Sequence, residues 1–92
     1  MIQRFGHKGL RRLFQQGDVR GVSPDLLEKL ENILFMLNRA RRSEEMNLPG
    51  FRLHRLKGDL TGFWSVTVRA NWRVIFRFEE GDVYDVDLID YH

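Results

Sequence analysis

Apolar positions change their spacing once along the chain, which divides it into a helical part and a stranded part. In "HKGLRRLFQQG", Leu10, Leu13 and Phe14 fall on one helical face, with Arg11, Arg12, Gln15 and Gln16 on the other. Gly17 is placed to stop that helix. "VSPDLLEKLENILFMLNRARR" predicts a longer helix, in which Leu26, Leu27, Leu30, Ile33, Leu34 and Leu37 recur at helical spacing and read as core packing. Ser23 fits its N-cap, Pro24 its first position and Asp25 its positive end; Arg39, Arg41 and Arg42 fit its negative end. "NLPG" breaks the pattern, and the period then becomes two. "FRLHRL", "FWSVTVR", "WRVIFRF" and "VYDVDLI" read as strands, with "KGDLTG" a glycine-bounded loop and "AN" and "EEGD" as hairpin turns. "IQRF" predicts a short first strand. The order β-α-α-β-β-β-β is an α+β fold: a small antiparallel sheet with two amino-terminal helices packed on it.

The turns set a register. If Ala70-Asn71 and Glu80-Gly81 are two-residue turns, Arg73 lies opposite Val68 on one side and Leu88 on the other. Asp90 then becomes a diagonal neighbour of Arg73, roughly 7–8 Å away and within reach of a long side chain. His92 shares that parity, whereas Tyr91 points to the other face unless a bulge re-aims it. A slip of one residue in either turn reverses the result. Arg73 thus has two readings: an ordinary strand arginine paired with an acid across the sheet, or an arginine aimed at a phosphate.

Composition narrows the choice. Ninety-two residues, 42% of them hydrophobic, make one domain, residues 1–92, able to bury a core. No apolar run approaches the roughly 20 residues of a membrane span, and "MIQRFGHKGL" is not a secretory signal. Cysteine is absent, which removes disulfides, thiolate metal sites and thiol nucleophiles, and points to a cytoplasmic protein. Net charge of +2 hides an asymmetry: residues 1–77 carry all 15 Lys and Arg against 7 acids, and residues 78–92 carry 6 acids and no Lys or Arg. Twelve of the bases are arginine, the side chain suited to bidentate phosphate contact, so a polyanion such as RNA or DNA is a natural partner. A solvated basic surface with an acidic edge strand accounts for the same numbers.

The chemistry-bearing residues are few. His7 reads as a solvated residue at the start of the first helix, and His54 sits three residues before Lys57. His54, Asp90 and His92 lack regular metal-ligand spacing, so no metal is expected. The chain has no phosphate-loop, dinucleotide or nucleophile-elbow motif. What remains suits metal-free cleavage of an RNA phosphodiester, which needs a base for the 2′-hydroxyl, an acid for the departing 5′-oxygen and positive charge on the phosphate. Histidine, aspartate and tyrosine can fill the first two roles; Lys57 and Arg73 can supply the third. Spread over three segments, these residues also fit ordinary surface roles.

Three segments carry a resemblance. "FGHKGLRRLF", "HRLKGDLTGFWSVTVRANWRVIFRF" and the closing "DYH" strongly resemble the HigB family of bacterial toxins, within the RelE/ParE-like superfamily of toxin–antitoxin systems. The similarity spans essentially the whole chain. It implies a RelE-like fold and a cofactor-free endoribonuclease that cuts messenger RNA in the decoding site of the translating 70S ribosome. The histidine and lysine of the family's H-x-x-K-G segment match His54 and Lys57, the arginine of its "ANWR" segment matches Arg73, and its closing acid, tyrosine and histidine match Asp90, Tyr91 and His92. Lys57 and Arg73 are implied to hold the scissile phosphate, Asp90 or His54 to act as base, His92 as acid, and Tyr91 to stack on a base or support proton transfer. Arg55 departs from the proline often found there in relatives, which bears on how stiffly His54 is held. The implied partners are an antitoxin of helix-turn-helix type, the ribosome and messenger RNA, with no membrane.

Two other functions share this architecture or charge. A ParE-like gyrase poison is a protein-interaction module, and the presence of His54, Lys57, Arg73, Asp90, Tyr91 and His92 argues against it. A noncatalytic RNA-binding module would grip RNA with arginines and with Trp64, Trp72 or Tyr91; the two tryptophans read first as sheet and core residues.

Overall fold

The change of period is the change from helices to sheet in the computed structural model, which describes residues 1–91. Helix α1 spans Lys8–Gln16 and buries Leu10 and Leu13; Gly17 ends it in the left-handed conformation, φ 67°. Helix α2 spans Pro24–Arg39 and buries Leu26, Leu30, Ile33, Leu34 and Leu37. It stops short of the arginine run because Ala40 turns extended and the Glu45 carboxylate accepts from the amides of Arg41 and Arg42, leading into a 3-10 turn over Ser43–Met46. The strands are β1 (His54–Arg55), β2 (Trp64–Arg69), β3 (Trp72–Glu79) and β4 (Asp82–Asp90), in one antiparallel sheet of that spatial order. Val66, Val74, Phe76, Val83 and Val86 on one face close the core against α1 and α2.

"IQRF" is not a full strand. Ile2 and Phe5 form isolated parallel bridges to Val83 and Val86, while the Ile2 amide is taken by Asn38 Oδ1 at 2.9 Å. The element order is therefore α-α-β-β-β-β, with the amino-terminal residues lying along the β4 edge. The first helix depends on such packing, as its shortness requires: Gly9 lies so close to Gly21 that a Cβ there would sit 2.2 Å from the Gly21 carbonyl oxygen.

Both hairpin turns fall where the sequence places them, with Arg69 paired to Trp72 and Glu79 to Asp82. Glu80 and Gly81 both have positive φ (50° and 84°), as a type I′ turn demands. Beyond the turns each ladder slips by one residue. A bulge between Thr67 and Arg69 puts Thr67, not Val68, opposite Arg73. An extra residue between Tyr84 and Asp87, with Asp85 at φ 56°, puts Ile89, not Leu88, on its other side. Asp90 now pairs with Trp72, so the register turns it to the face opposite Arg73. The expected diagonal contact between Asp90 and Arg73 is corrected: Tyr91 takes that place. The amide of Tyr91 donates to the Asn71 carbonyl at 2.8 Å, extending the ladder to the described end.

Candidate active site

The face of the sheet away from the helices carries the candidate chemistry. Phe51, buried in the core, anchors the chain before β1. Arg52 then adopts φ 51°, a conformation costly for a residue with a Cβ. Its carbonyl oxygen lies 2.7 Å from Nδ1 of exposed His54. A carbonyl can only accept, so Nδ1 carries the proton, and in neutral His54 the lone pair is on Nε2. Pairing of His54 with Ser65, and of Arg55 with Trp64, fixes the strand's register. Arg55 lies 5.3 Å from the Trp64 ring centroid and ties β1 to β2 by a cation–π contact. The Leu56 amide extends the pairing to the Phe63 carbonyl at 2.9 Å, so exposed Lys57 emerges where the ladder gives way to the 3-10 turn Gly58–Leu60.

Two arginines of β3 point to this face and differ in how they are held. Arg77 is an ordinary cross-sheet ion-pair residue: Nε donates to Asp85 at 2.8 Å and Nη1 to Glu79 at 2.9 Å. Asp85 also accepts from Arg4, and its carboxyl is held down at about 2. The Arg4 hydrogen bond is the largest cause, the Arg77 bond adds to it, and partial burial opposes both. Arg73 is half-buried, and no carboxylate pairs with it among the described residues. Its guanidinium lies 5.5 Å from the Tyr91 ring centroid, a stack that leaves its charge unneutralised. The cross-sheet pairing reading of an arginine in "NWRVIFRF" thus holds for Arg77, and Arg73 has no such pair among the described residues.

His54, Lys57, Arg73 and Tyr91 line a single recess of about 460 Å³. Arg52, Arg55 and Ser65 join them, and no carboxylate is among the described lining residues. Four cationic side chains around one concavity give it a positive potential that favours anions. A larger groove of about 710 Å³ mixes Asp25 and Glu28 with Lys29 and Arg69, so its charges largely cancel and it lacks this character. Sequence reasoning missed Arg52, Arg55 and Ser65. The alternation that put Arg52 on the face of His54 was the available signal; Ser65 needed the β1–β2 register.

Asp90 does not line the recess; it stands exposed at the end of β4. His92 lies outside the described residues. His7 is no solvated filler: its Nδ1 accepts from the Leu10 amide at 3.0 Å and caps α1. Trp64 packs against the core, and Trp72 is 38% exposed at the start of β3. Among the described residues no group of three His, Cys, Asp or Glu is placed to hold a metal, and no helix is long and apolar enough to cross a membrane.

Comparison with known proteins gives concordant matches. The family model for the RelE-like toxin of type II toxin–antitoxin system HigB matches residues 3–92. The endoribonuclease HigB of Proteus vulgaris is 44% identical over 92 residues, covering the whole of both chains. Among solved structures, the YoeB dimer of Staphylococcus aureus superposes with a TM-score of 0.61 at 15% identity, covering 99% of this chain and 94% of that one. The heterotetrameric YoeB–YefM toxin–antitoxin complex of the same organism gives 0.61 at 14% identity, covering 100% and 98%. A mutant YafQ of E. coli gives 0.61 at 18%, covering 95% and 87%. At these identities the structural matches speak for the fold alone.

Proposed function

This chain belongs to the HigB-like family of RelE-like toxins of type II toxin–antitoxin systems, and from that premise we propose that it is an endoribonuclease cutting messenger RNA on the ribosome without a metal. The observation that carries the reading is the convergence of His54, Lys57, Arg73 and Tyr91 on one recess whose described lining holds no carboxylate. The name of the Proteus vulgaris relative supports the activity. Ribosome dependence rests on the family resemblance, and the arginine-rich surface suits a ribosomal RNA platform.

In this mechanism the scissile phosphate sits against Arg73 and Lys57, which offset the charge that grows on its oxygens as the 2′-oxygen attacks phosphorus. His54 serves as base. Its Nδ1–H is committed to the Arg52 carbonyl, so Nε2 takes the 2′-hydroxyl proton. The bond to the 5′-oxygen breaks, and His92 returns a proton to that leaving group, a role that rests on the family pattern and on imidazole chemistry. Asp90 is the weaker candidate for the base, because the register turns it from Arg73. Tyr91 stacks on Arg73 and offers its exposed ring to a nucleobase. A cognate antitoxin is the partner the family implies, here proposed to be of helix-turn-helix type, and the site of action is the cytoplasm.

The test is expression of Arg73→Ala and His92→Gln beside the parent at matched levels, scored for growth arrest and for messenger cleavage in a translating extract with and without ribosomes. Loss of both readouts is expected. Full toxicity in both variants refutes the catalytic reading, and intact messenger accompanied by DNA damage assigns the fold to gyrase poisoning instead.

A further inference from the structure

Buried polar atoms in folded proteins nearly always find a partner, so the exceptions call for an explanation. Among the described residues, three buried side-chain atoms lack one: Ser65 Oγ, Thr67 Oγ1 and Arg73 Nε. They are not scattered. Thr67 is directly opposite Arg73, and Ser65 lies two residues along the same strand, so all three share the face that carries the recess. Ser65 is 1% exposed and lines that recess.

The geometry points to a hydrogen-bonding floor, made by the hydroxyls of Ser65 and Thr67 with Nε–H of Arg73, that receives the non-bridging oxygens of the substrate phosphodiester. The chemistry selects the ligand. Arg73 Nε can only donate, and a hydroxyl donates one hydrogen, so the three together ask for an acceptor-rich group. Arg52, Arg55, Lys57 and Arg73 around the recess require that group to be anionic. A phosphoryl group meets both demands. The inference rests on the endonuclease reading and adds to it two residues that carry no charge and that no strand pattern singles out.

The floor is closed to water in the free protein, so its partner arrives only when the cover moves. The outer end of the Arg73 guanidinium, beyond Nε, is the movable part of that cover. The register places Arg73 beside both hydroxyls, no ion pair among the described residues anchors it, and it leans on Tyr91, 43% exposed at the end of β4. Atoms left without partners in the free protein and satisfied by the phosphate contribute to binding selectively when the reacting group is in place.

The experiment compares Ser65→Ala, Thr67→Val and the double variant in single-turnover cleavage of ribosome-bound messenger, alongside thermal melts. Each single change is expected to slow cleavage about tenfold, the loss of one hydrogen bond to a charged group. The melting temperature is expected to stay or rise, because a buried hydroxyl without a partner is removed. A messenger with a phosphorothioate at the scissile position supplies the third readout. Sulfur accepts hydrogen bonds poorly, so the substitution is expected to slow the parent more than it slows either variant. Unchanged cleavage in both variants overturns the proposal, and so does a slowdown that tracks a fall in melting temperature, or one with an undiminished thio effect. A parent protein that leaves messenger intact refutes the endonuclease reading itself, and the floor's substrate role with it.

Discussion

Asp85→Asn isolates one carboxylate charge without disturbing the backbone, because asparagine tolerates the left-handed φ of 56° found there as readily as aspartate does. In the parent, Arg4 and Arg77 both donate to this carboxylate, and both guanidinia lie over the Tyr84 ring, 5.5 and 5.2 Å from its centroid. The variant leaves two like charges side by side over one ring. The carboxyl is held at about 2 against an ordinary 3.8. At about 1.4 kcal/mol per pH unit that depression corresponds to roughly 2.5 kcal/mol. The side chain is 30% exposed and solvent screens part of the interaction, so the expected loss is about 1–2 kcal/mol. For a domain of this size that lowers the melting temperature by about 5–15 °C. The folded-state pKa is depressed, so the contribution is complete above the unfolded value near 4 and disappears as pH falls towards 2. Melts followed by circular dichroism from pH 7 to pH 2 should therefore show a full gap between parent and variant near neutrality, closing below pH 4. A gap under 1 °C at pH 7, or one that persists undiminished at pH 2, refutes the reasoning.

Arg73→Ala and Arg77→Ala should separate function from stability: the first abolishes messenger cleavage with little change in melting temperature, and the second lowers the melting temperature by several degrees while the folded protein still cleaves. Tyr91→Phe should retain most of the cleavage rate, because the ring still stacks on Arg73, whereas Tyr91→Ala loses more than tenfold; a phenylalanine variant as inactive as the alanine one would assign the phenol to proton transfer. Gly9→Ala should destabilise the fold by about 2–4 kcal/mol in denaturant titration, because its Cβ meets backbone rather than a movable side chain. Ribosome association of the parent should weaken steeply with added salt, and a salt-insensitive interaction would contradict phosphate-dominated binding.

Local signals were legible in the sequence. The leucine stripe of α2, the Gly17 stop and the two hairpin turns depend on neighbours a few residues apart, and they stand where the pattern puts them. The bulges were not legible. Asp85 is captured by Arg4, 81 residues distant in the chain, and nothing in "VYDVDLI" announces that its third residue will be drawn into a left-handed kink. Of the candidate site, His54, Lys57, Arg73 and Tyr91 were singled out through their chemistry and the family pattern, and they meet in one recess. The cross-strand geometry derived for Asp90 failed because it assumed flat ladders. Ser65 and Thr67 escaped notice for a different reason: small hydroxyl residues are ordinary in strands, and only burial without a partner distinguishes them. The His7 cap was hidden because imidazole is not among the usual capping side chains.

The two extra residues sit on the strands flanking β3, never on β3 itself, so the sheet works as a vernier. β3 is the fixed scale that carries Arg73, and its neighbours slide one division against it before they reach the recess. Which side chain stands beside Arg73 is therefore a matter of phase, set by Asp85 far down the strand rather than by any residue of the recess. Deleting that one position would leave Ile89 opposite Arg73 and Tyr91 in its place, whereas flattening the kink with the residue kept would bring Leu88 opposite Arg73 and exchange the ring of Tyr91 for the carboxylate of Asp90. The composition of this edge therefore depends on the backbone held at one distant residue as much as on the side chains of the recess.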